Sequence, residues 1–299
     1  MRVMRIYDLM PAMKSIFNNV GLIGKFMNPE TSEQVGILAA FLREQQINVV
    51  LEENTARQSM LEDYPTAPIE RIGRDVDLAI VLGGDGTMLT AARAFVDYDT
   101  PLIGVNRGRF GFLTDLVAES MLPGISRILK GEFYREQRML LTALLERDDK
   151  VLSQGHAFND VVVNKNGAAK LIELEVRIDG QFVHRQRSDG LIVSTPTGTT
   201  AYSLSAGGPI LHPTLDAIAL VPICPHTLSN RPIAINSASV VEVVLMRAED
   251  ACVHLDGQLH SAMREGDRMI IRRAQETITL LHPQGHSHYA MLREKLKWG

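Results

Sequence analysis

The stretch "LAIVLGGDGTMLTAARAF" (residues 78–95) places one carboxylate, Asp85, among three glycines. The short aliphatic run Leu78–Leu82 predicts a buried strand, and the apolar residues that follow Thr87 fit one face of a helix. A turn between such a strand and helix directs the free N–H groups of the helix N-terminus toward a place suited to phosphate. A carboxylate would repel the phosphate, but it could hold an attacking hydroxyl or take its proton.

This glycine turn matches neither common nucleotide-binding pattern. No lysine follows it as in a P-loop, and Leu89 stands where the dinucleotide pattern requires a third glycine. The alternative is a tight turn in which Asp85 only caps the helix. Three glycines around one acid allow closer backbone approach than a cap requires, and open α/β sheets bind ligands where their parallel strands end.

A second candidate segment is "RSDGLIVSTPTGTTAYSLSAGGPI" (residues 187–210), with nine hydroxyl side chains between Ser188 and Pro209. Hydroxyl and backbone donors near a helix start suit a ligand that carries sugar or phosphate groups. The alternative is a solvated loop rich in serine and threonine. The segment is not of low complexity, and it ends in the ordered pattern "GGPI".

Weaker candidates lie elsewhere in the second half of the chain. Asn159 and Asp160 are adjacent in the β-type run "AFNDVVVN", so at least one of them is expected to be buried or at a strand end, where a ligand is one possible partner. "HLDGQL" (254–259) predicts an Asp-Gly hairpin turn, which makes Gln258 only an additional candidate. His286 and His288 could be metal ligands, but no third ligand is evident, so we predict surface histidines and no metal site.

The composition of the chain argues against several kinds of partner and site. The chain has 299 residues, 45% of them hydrophobic, and a net charge of −4, which argues against nucleic acid or an anionic membrane surface as a partner. Its two cysteines are too few for a disulfide framework or a thiolate metal site, which indicates a cytoplasmic protein. No apolar run approaches 18 residues, so no membrane span is expected.

The pattern of predicted elements changes along the chain. Residues 1–13 are predicted to be a disordered extension, and in residues 14–138 strands alternate with helices, which favours an α/β domain with a parallel sheet and flanking helices. From residue 139, short strand-like runs are divided by turn residues, which favours an all-β second domain.

Three motifs in this order closely resemble the bacterial NAD kinases: "GGDGT" (83–87), the Asn159-Asp160 pair, and the motif "SDGLIVSTPTGTTAYSLSAGGPI". "NRGRFGFLTD" (106–115) and "LVPICPHTLSNRPI" (220–233) also resemble segments of that family, and the resemblance covers roughly residues 20–297. The GGDG motif alone is shared with diacylglycerol kinases, sphingoid-base kinases and phosphofructokinases. The long second motif is the specific one.

The resemblance implies an enzyme that moves the γ-phosphate of ATP onto the 2′-hydroxyl of the adenosine ribose of NAD, with Mg²⁺ or Mn²⁺ bound to the ATP. It also implies a C-terminal β-sandwich domain for substrate (139–270), a tail that returns to the first domain (271–299), and a homotetramer or homodimer. Two alternatives stay open: a lipid kinase with the same glycine turn, and a non-catalytic nucleotide-binding module.

By motif position, the resemblance implies that Asp85 is catalytic. It implies substrate contacts at Gly86, Asn159, Asp160, Lys170, Arg187, Asp189, Thr200, Ala201, Tyr202, Ser203, Leu204, Ser205 and Gln258. The family usually has glutamate where this chain has Asp160, which is one methylene shorter and could reach the same group through a water. Arg187 is the residue found in family members restricted to oxidised NAD.

Overall fold

The structure is a computed structural model that describes residues 15–25, 29–106, 108, 111–167, 169–227 and 229–298. The predicted extension, residues 1–13, lies outside these ranges. The chain divides into two compact units, residues 1–137 with 278–299, and residues 138–277.

The strands and helices are numbered in chain order. The strands are β1 (Asn19–Gly24), β2 (Asn48–Glu52), β3 (Thr66–Ala67), β4 (Leu78–Leu82), β5 (Leu102–Asn106), β6 (Leu116–Val117), β7 (Phe133–Arg147), β8 (Lys150–Ala157), β9 (Asp160–Lys165), β10 (Ile172–Ile178), β11 (Gln181–Ser188), β12 (Gly190–Ser194), β13 (Ala217–Ile223), β14 (Ile233–Asn236), β15 (Val241–Arg247), β16 (Ala251–Leu255), β17 (Leu259–Met263) and β18 (Arg268–Pro283). The helices are α1 (Pro29–Glu44), α2 (Glu53–Ser59), α3 (Ile69–Asp75), α4 (Asp85–Ala94), α5 (Met121–Leu129), α6 (Tyr202–Ser205) and α7 (His288–Leu296).

The first unit contains a parallel sheet in the order β3-β2-β1-β4-β5, with flanking helices. All five residues of β4 are buried, as expected for an aliphatic central strand of a parallel sheet. The end of β18 joins this sheet beside β5, where Leu280 lies opposite Leu102 in a parallel pair. The predicted α/β class of the N-terminal half is confirmed.

Some predicted boundaries shift by a few residues. Helix α1 begins at Pro29, because proline is favoured in the first helical turn, and Glu30 follows it there. The helix predicted after Thr87 already begins at Asp85. The β-type texture predicted from residue 139 begins at Phe133, within β7.

The second unit packs two antiparallel sheets against each other. One contains β11-β10-β15 and the first part of β18, and the other has the order β14-β13-β12-β9-β16-β17. Alternate residues of β15 are buried, as in a strand with one face on a core. Leu174 and Val243 from the first sheet share one hydrophobic core with Val163 and Leu191 from the second. The predicted β-sandwich is confirmed.

Candidate active site

Asp85 is the first residue of α4, and backbone groups of a distant loop hold its carboxylate. Its Oδ2 accepts a hydrogen bond from the N–H of Phe112 at 3.0 Å, and its Oδ1 accepts one from the N–H of Leu113 at 3.1 Å. The N-cap of α4 is Gly84. Asp85 therefore does not serve as the cap of its own helix. Two N–H donors fix the orientation of a half-buried carboxylate that still has lone pairs for a ligand.

Glycines are required where backbone and side chains approach this carboxylate. A Cβ on Gly111 would lie 2.1 Å from Oδ1 of Asp85 and 2.3 Å from Oγ1 of Thr114. A Cβ on Gly83 would lie 2.4 Å from Oγ1 of Thr87. Sequence reasoning found Gly83 but missed Gly111, because the pattern gave no sign that the loop of residues 111–114 returns to Asp85.

A cavity of about 440 Å³ lies beside this turn in the first unit. Gly86 and Thr87 of the turn line it together with Lys25, Glu52 and Asn54. These residues lie at or just after the carboxyl ends of β1, β2 and β4, which is where open parallel sheets bind ligands. The cavity therefore combines a helix N-terminus, a lysine and small side chains, a set that suits phosphate groups.

In the second unit, the run predicted as one strand is interrupted at Asn159, and β9 begins at Asp160. The carboxylate of Asp256 accepts hydrogen bonds from three successive N–H groups: Phe158 at 3.0 Å, Asn159 at 2.7 Å and Asp160 at 3.2 Å. Asp256 lies in the predicted hairpin turn between β16 and β17, with a φ of 52°. The turn prediction explained this residue without a function and so missed that it holds the Asn159-Asp160 pair.

Asp160 is a buried carboxyl with an altered acidity. Burial, together with the smaller effect of the negative charge of Asp256, raises its pKa to about 7. Only 4% of the residue is exposed. Asp160 therefore exchanges its proton near neutral pH, unlike an ordinary surface aspartate.

A cavity of about 420 Å³ adjoins this pair in the second unit. Four predicted site residues line it: Asn159, Asp160, Ala201 and Tyr202. Asp256 lines it as well, together with Val162, Asn164, His254 and Gly257. The structure thus brings the two separate sequence motifs of this unit to one cavity.

Gly198 allows these two motifs to meet. A Cβ at this position would lie 2.1 Å from the carbonyl oxygen of Asn159. The 3₁₀ turn Thr197–Thr200 consequently packs directly on the backbone of the pair. A larger residue would have to displace backbone atoms rather than a flexible side chain.

The remaining predicted residues of the second unit lie outside the set that lines this cavity. Lys170 is exposed and forms an ion pair with Glu249, whereas Asp189 pairs with Lys165 at 3.0 Å. Arg187 and Gln258 are exposed on β11 and on the hairpin turn. Thr200, Ser203, Leu204 and Ser205 belong to the 3₁₀ turn and to α6, where Ser203 is buried and Ser205 is exposed.

The prediction that His286 lies on the surface was wrong. Its side chain is only 9% exposed, and its Nδ1 lies 2.8 Å from Oδ1 of Asp115. His282 contacts the same carboxylate. Sequence reasoning considered only neighbours in the chain, whereas Asp115 comes from a much earlier segment.

Two family models match the chain. The ATP-NAD kinase N-terminal domain matches residues 20–133, and the ATP-NAD kinase C-terminal domain matches residues 158–282. No helix in the described residues is long and apolar enough to cross a membrane.

Full-length relatives and solved structures agree with these matches. The chain is 50% identical over 283 residues to an NAD kinase of Thiobacillus denitrificans, covering 95% of this chain and 98% of the relative. It is 49% identical over 287 residues to one of Laribacter hongkongensis, covering 96% and 99%. A yeast NADH kinase complexed with NADH superposes with a TM-score of 0.86 at 26% identity, covering 94% of this chain and 88% of that one. An NAD kinase from Archaeoglobus fulgidus in complex with ATP gives a TM-score of 0.72 at 26% identity, covering 93% and 98%.

Proposed function

The chain belongs to the ATP-NAD kinase family, and from that premise we propose that it is an ATP-dependent NAD kinase. It transfers the γ-phosphate of ATP to the 2′-hydroxyl of the adenosine ribose of NAD, which yields NADP and ADP. The observation that carries this proposal is the carboxylate of Asp85, which two backbone N–H groups hold at the start of α4.

Asp85 acts on the acceptor rather than on the phosphate. Its carboxylate accepts a hydrogen bond from the 2′-hydroxyl and takes the proton as the oxygen attacks the γ-phosphorus. The bond from the γ-phosphorus to the bridging oxygen breaks, and ADP leaves. The N–H groups at the start of α4 and the ammonium of Lys25 line the cavity beside Asp85 and balance phosphate charge there.

The divalent ion enters this reaction as part of the nucleotide substrate. We propose Mg²⁺ or Mn²⁺, which prefer phosphate and carboxylate oxygens and bind the ATP phosphates. The role of the chain is to orient the acceptor and the phosphates.

NAD is held by the second unit at the cavity that Asn159, Asp160, Ala201 and Tyr202 line. Amide and carboxyl groups in this pair match the hydroxyl and amide groups of a dinucleotide. By the family motif, the further proposed substrate contacts are Gly86, Lys170, Arg187, Asp189, Thr200, Ser203, Leu204, Ser205 and Gln258.

Arg187 indicates which redox form of the dinucleotide the enzyme phosphorylates. Because this arginine is found in family members restricted to oxidised NAD, we expect NAD to be used far better than NADH. Equal kcat/KM values for the two dinucleotides would remove this part of the proposal.

The direct test mixes the protein with Mg-ATP and NAD and follows NADP with an NADP-specific dehydrogenase. We expect NADP to form in proportion to enzyme and time. The absence of NADP with every phosphoryl donor, or phosphorylation of a diacylglycerol or sphingoid base instead, would overturn the proposal. Tight binding of NAD without turnover would identify a binding module.

Assembly and location belong to the same proposal. We propose a homodimer or homotetramer in the cytoplasm, with no nucleic-acid partner. Light scattering on the purified protein tests the assembly, and a monomeric mass over the assay concentrations would contradict it.

A further inference from the structure

Three side chains from distant parts of the chain meet in the first unit, outside the machinery described above. Asp115 follows the loop of residues 111–114, His282 lies near the end of β18, and His286 precedes α7. Each offers one ligand atom, and these atoms all lie within 4.8 Å of one another. The phosphoryl-transfer mechanism uses none of the three.

The cluster is buried and centred on one carboxylate. The side chains of Asp115, His282 and His286 are 7%, 2% and 9% exposed. Nδ1 of His282 contacts Oδ2 of Asp115, and Nδ1 of His286 lies 2.8 Å from its Oδ1. An ionised carboxylate and an imidazole lone pair repel each other at these distances. Either an N–H hydrogen of the ring or a cation therefore lies between each nitrogen and its carboxylate oxygen.

A second carboxylate stands behind one of the imidazoles. Oε2 of Glu136 lies 2.8 Å from Nε2 of His282, and the ring of Tyr134 stacks on that imidazole at 4.9 Å between centroids. In the tautomer with the proton on Nε2, which the nearby Glu136 carboxylate favours electrostatically, the lone pair lies on Nδ1, toward Asp115. Carboxylates behind histidines prepare them for metal binding in this way. With both imidazoles neutral, the two carboxylates carry a charge that one divalent cation balances.

The cluster also has an open side. A cavity of about 230 Å³ is lined by Asp115 and His286 and by Ser287, Met291 and Glu294. It gives an ion a route inward and leaves room for a water as a further ligand.

We propose that Asp115, His282 and His286 form a binding site for a divalent transition-metal ion of the Zn²⁺ type. Imidazole nitrogens with one carboxylate select such ions over Mg²⁺ and Ca²⁺, which prefer oxygen ligands throughout. The ion is distinct from the one that enters with ATP. It ties the C-terminal segment to the residue that follows the loop holding Asp85, so its effect is on the stability of this unit.

The test uses the full chain, freed of metal with a chelator and studied without ATP. Titration with Zn²⁺ is expected to show one tight equivalent per chain and a rise in the thermal midpoint. Co²⁺ in place of Zn²⁺ is expected to give visible bands typical of nitrogen and oxygen ligands. His286→Gln removes a direct ligand and should weaken Zn²⁺ binding by more than roughly 10- to 100-fold. That range is the usual effect of losing a group that only hydrogen-bonds to a metal ligand. The matched control His288→Gln, two residues further along, should bind as tightly as the unchanged chain.

The experiment must also distinguish this site from a second pair of side chains that could bind Zn²⁺. Sγ of Cys252 lies 3.1 Å from Nε2 of His254 in the second unit. If Cys252→Ser removes the tight equivalent and His286→Gln keeps it, the proposal is wrong. A thermal midpoint that Zn²⁺ does not move in the unchanged chain would mean that protons alone hold the cluster, which also overturns it.

A measurement on the unchanged chain covers the case in which His286→Gln does not fold. Nitrogen-15 spectra of the histidine rings should show Zn²⁺ on Nδ1 of His282 and His286. Unchanged ring signals for these two residues would contradict the site without any variant.

Discussion

Asp85 joins two properties that a general base needs, a fixed orientation and free lone pairs. The N–H groups of Phe112 and Leu113 supply the orientation at 3.0 and 3.1 Å. Asparagine at this position keeps the shape of the side chain but loses the negative charge and the basic oxygen. A residue that only shaped the turn would tolerate that change.

Replacement of Asp85 by asparagine is expected to lower kcat by roughly 10²- to 10⁴-fold, the usual range for a lost general base. A value near the lower end is compatible with a loose phosphoryl-transfer transition state. KM for NAD should change much less, because the contacts that we propose for the dinucleotide lie mainly in the second unit. Steady-state kinetics measure both constants.

The exposed Asp97 in the same unit provides the matched control, as Asp97→Asn. Its kcat and its thermal midpoint should match those of the unchanged protein. If Asp85→Asn folds normally and keeps nearly the full kcat, Asp85 is not the base.

Asp160 is expected to bind substrate, but its buried carboxylate should lower the free energy of unfolding when it is ionised. Its pKa is about 7 in the fold, against 3.8 for the free group, so the folded chain binds more protons than the unfolded chain between these values. The free energy of unfolding therefore falls as pH rises from 4 toward 7. Asp160→Asn should raise it at pH 8 by about 2–4 kcal/mol and change it little near pH 4.

Urea unfolding of Asp160→Asn at the two pH values measures this difference, with Asp97→Asn as the control. Kinetics give an independent readout. In the unchanged enzyme, KM for NAD should rise as pH falls below about 7, because the carboxyl gains a proton, whereas the Asp160→Asn variant should show a flat profile. A variant with equal stability differences at both pH values would contradict the raised pKa.

At the scale of elements, the loop of residues 111–114 decides where Asp85 points. A Cβ at Gly111 would meet Asp85 Oδ1 at 2.1 Å, a distance that requires the carboxylate or the loop to move. Gly111→Ala is therefore expected to lower kcat by on the order of 10- to 100-fold, since small displacements of positioned groups have effects of this size. Single-turnover kinetics with saturating Mg-ATP and NAD would measure it.

Gly108 is the matched control, because a Cβ there meets nothing within 4 Å among the residues that the structure describes. Gly108→Ala should leave kcat nearly unchanged. Equal losses in both variants would show that any added side chain in this part of the chain lowers kcat. The contact with Asp85 would then not be the cause.

The elements were largely predictable from local patterns. The buried run of β4, the glycine turn and the helix after it follow from apolar spacing over fewer than 20 residues, and the structure places them within three residues of the prediction. The alternating burial of β15 was predictable in the same way. Such signals depend on neighbours in the chain.

Contacts between distant segments left no such signal. Three contacts each join residues far apart in sequence: the loop that holds Asp85, the hydrogen bonds that Asp256 accepts from three N–H groups, and the approach of Asp115 to His286. Asp256 also satisfied a local rule, since Asp-Gly suits a hairpin turn by itself. Because the turn alone explained Asp256, its contact with the Asn159-Asp160 pair was not predicted.

At the scale of the whole molecule, the first unit is built from both ends of the described chain. Leu281 of β18 lies in the same hydrophobic core as Leu38 of α1 and Leu78 of β4. In α7, Met291 and Leu292 are 8% and 4% exposed. The C-terminal segment is therefore part of the core of the unit that carries Asp85.

Ending the chain before α7, at residue 287, is expected to lower the free energy of unfolding of the first unit by about 3–6 kcal/mol, from the loss of two buried side chains. This is a large part of the stability of an ordinary domain. Hydrogen exchange should show lost protection in β1 and β4 while β12 and β13 of the second unit keep theirs. A control chain that ends after Leu296 retains α7 and should behave like the full chain. Equal protection in both shortened chains would show that α7 adds nothing to this core.

The return of β18 to β5 also sets an order of events on the ribosome. Synthesis delivers β5 early, but its partner around Leu280 emerges only after all of residues 138–277. The second unit is complete in sequence before the first can close, which reverses the usual tendency of N-terminal domains to finish first. Until then, β6 pairs with the end of β5, but the part of β5 around Leu102 lacks its β18 partner and stays open to chaperones and proteases. A nascent chain released too early therefore exposes that part of β5, and the unit that carries Asp85 is completed only by a segment that is synthesised after the whole second unit.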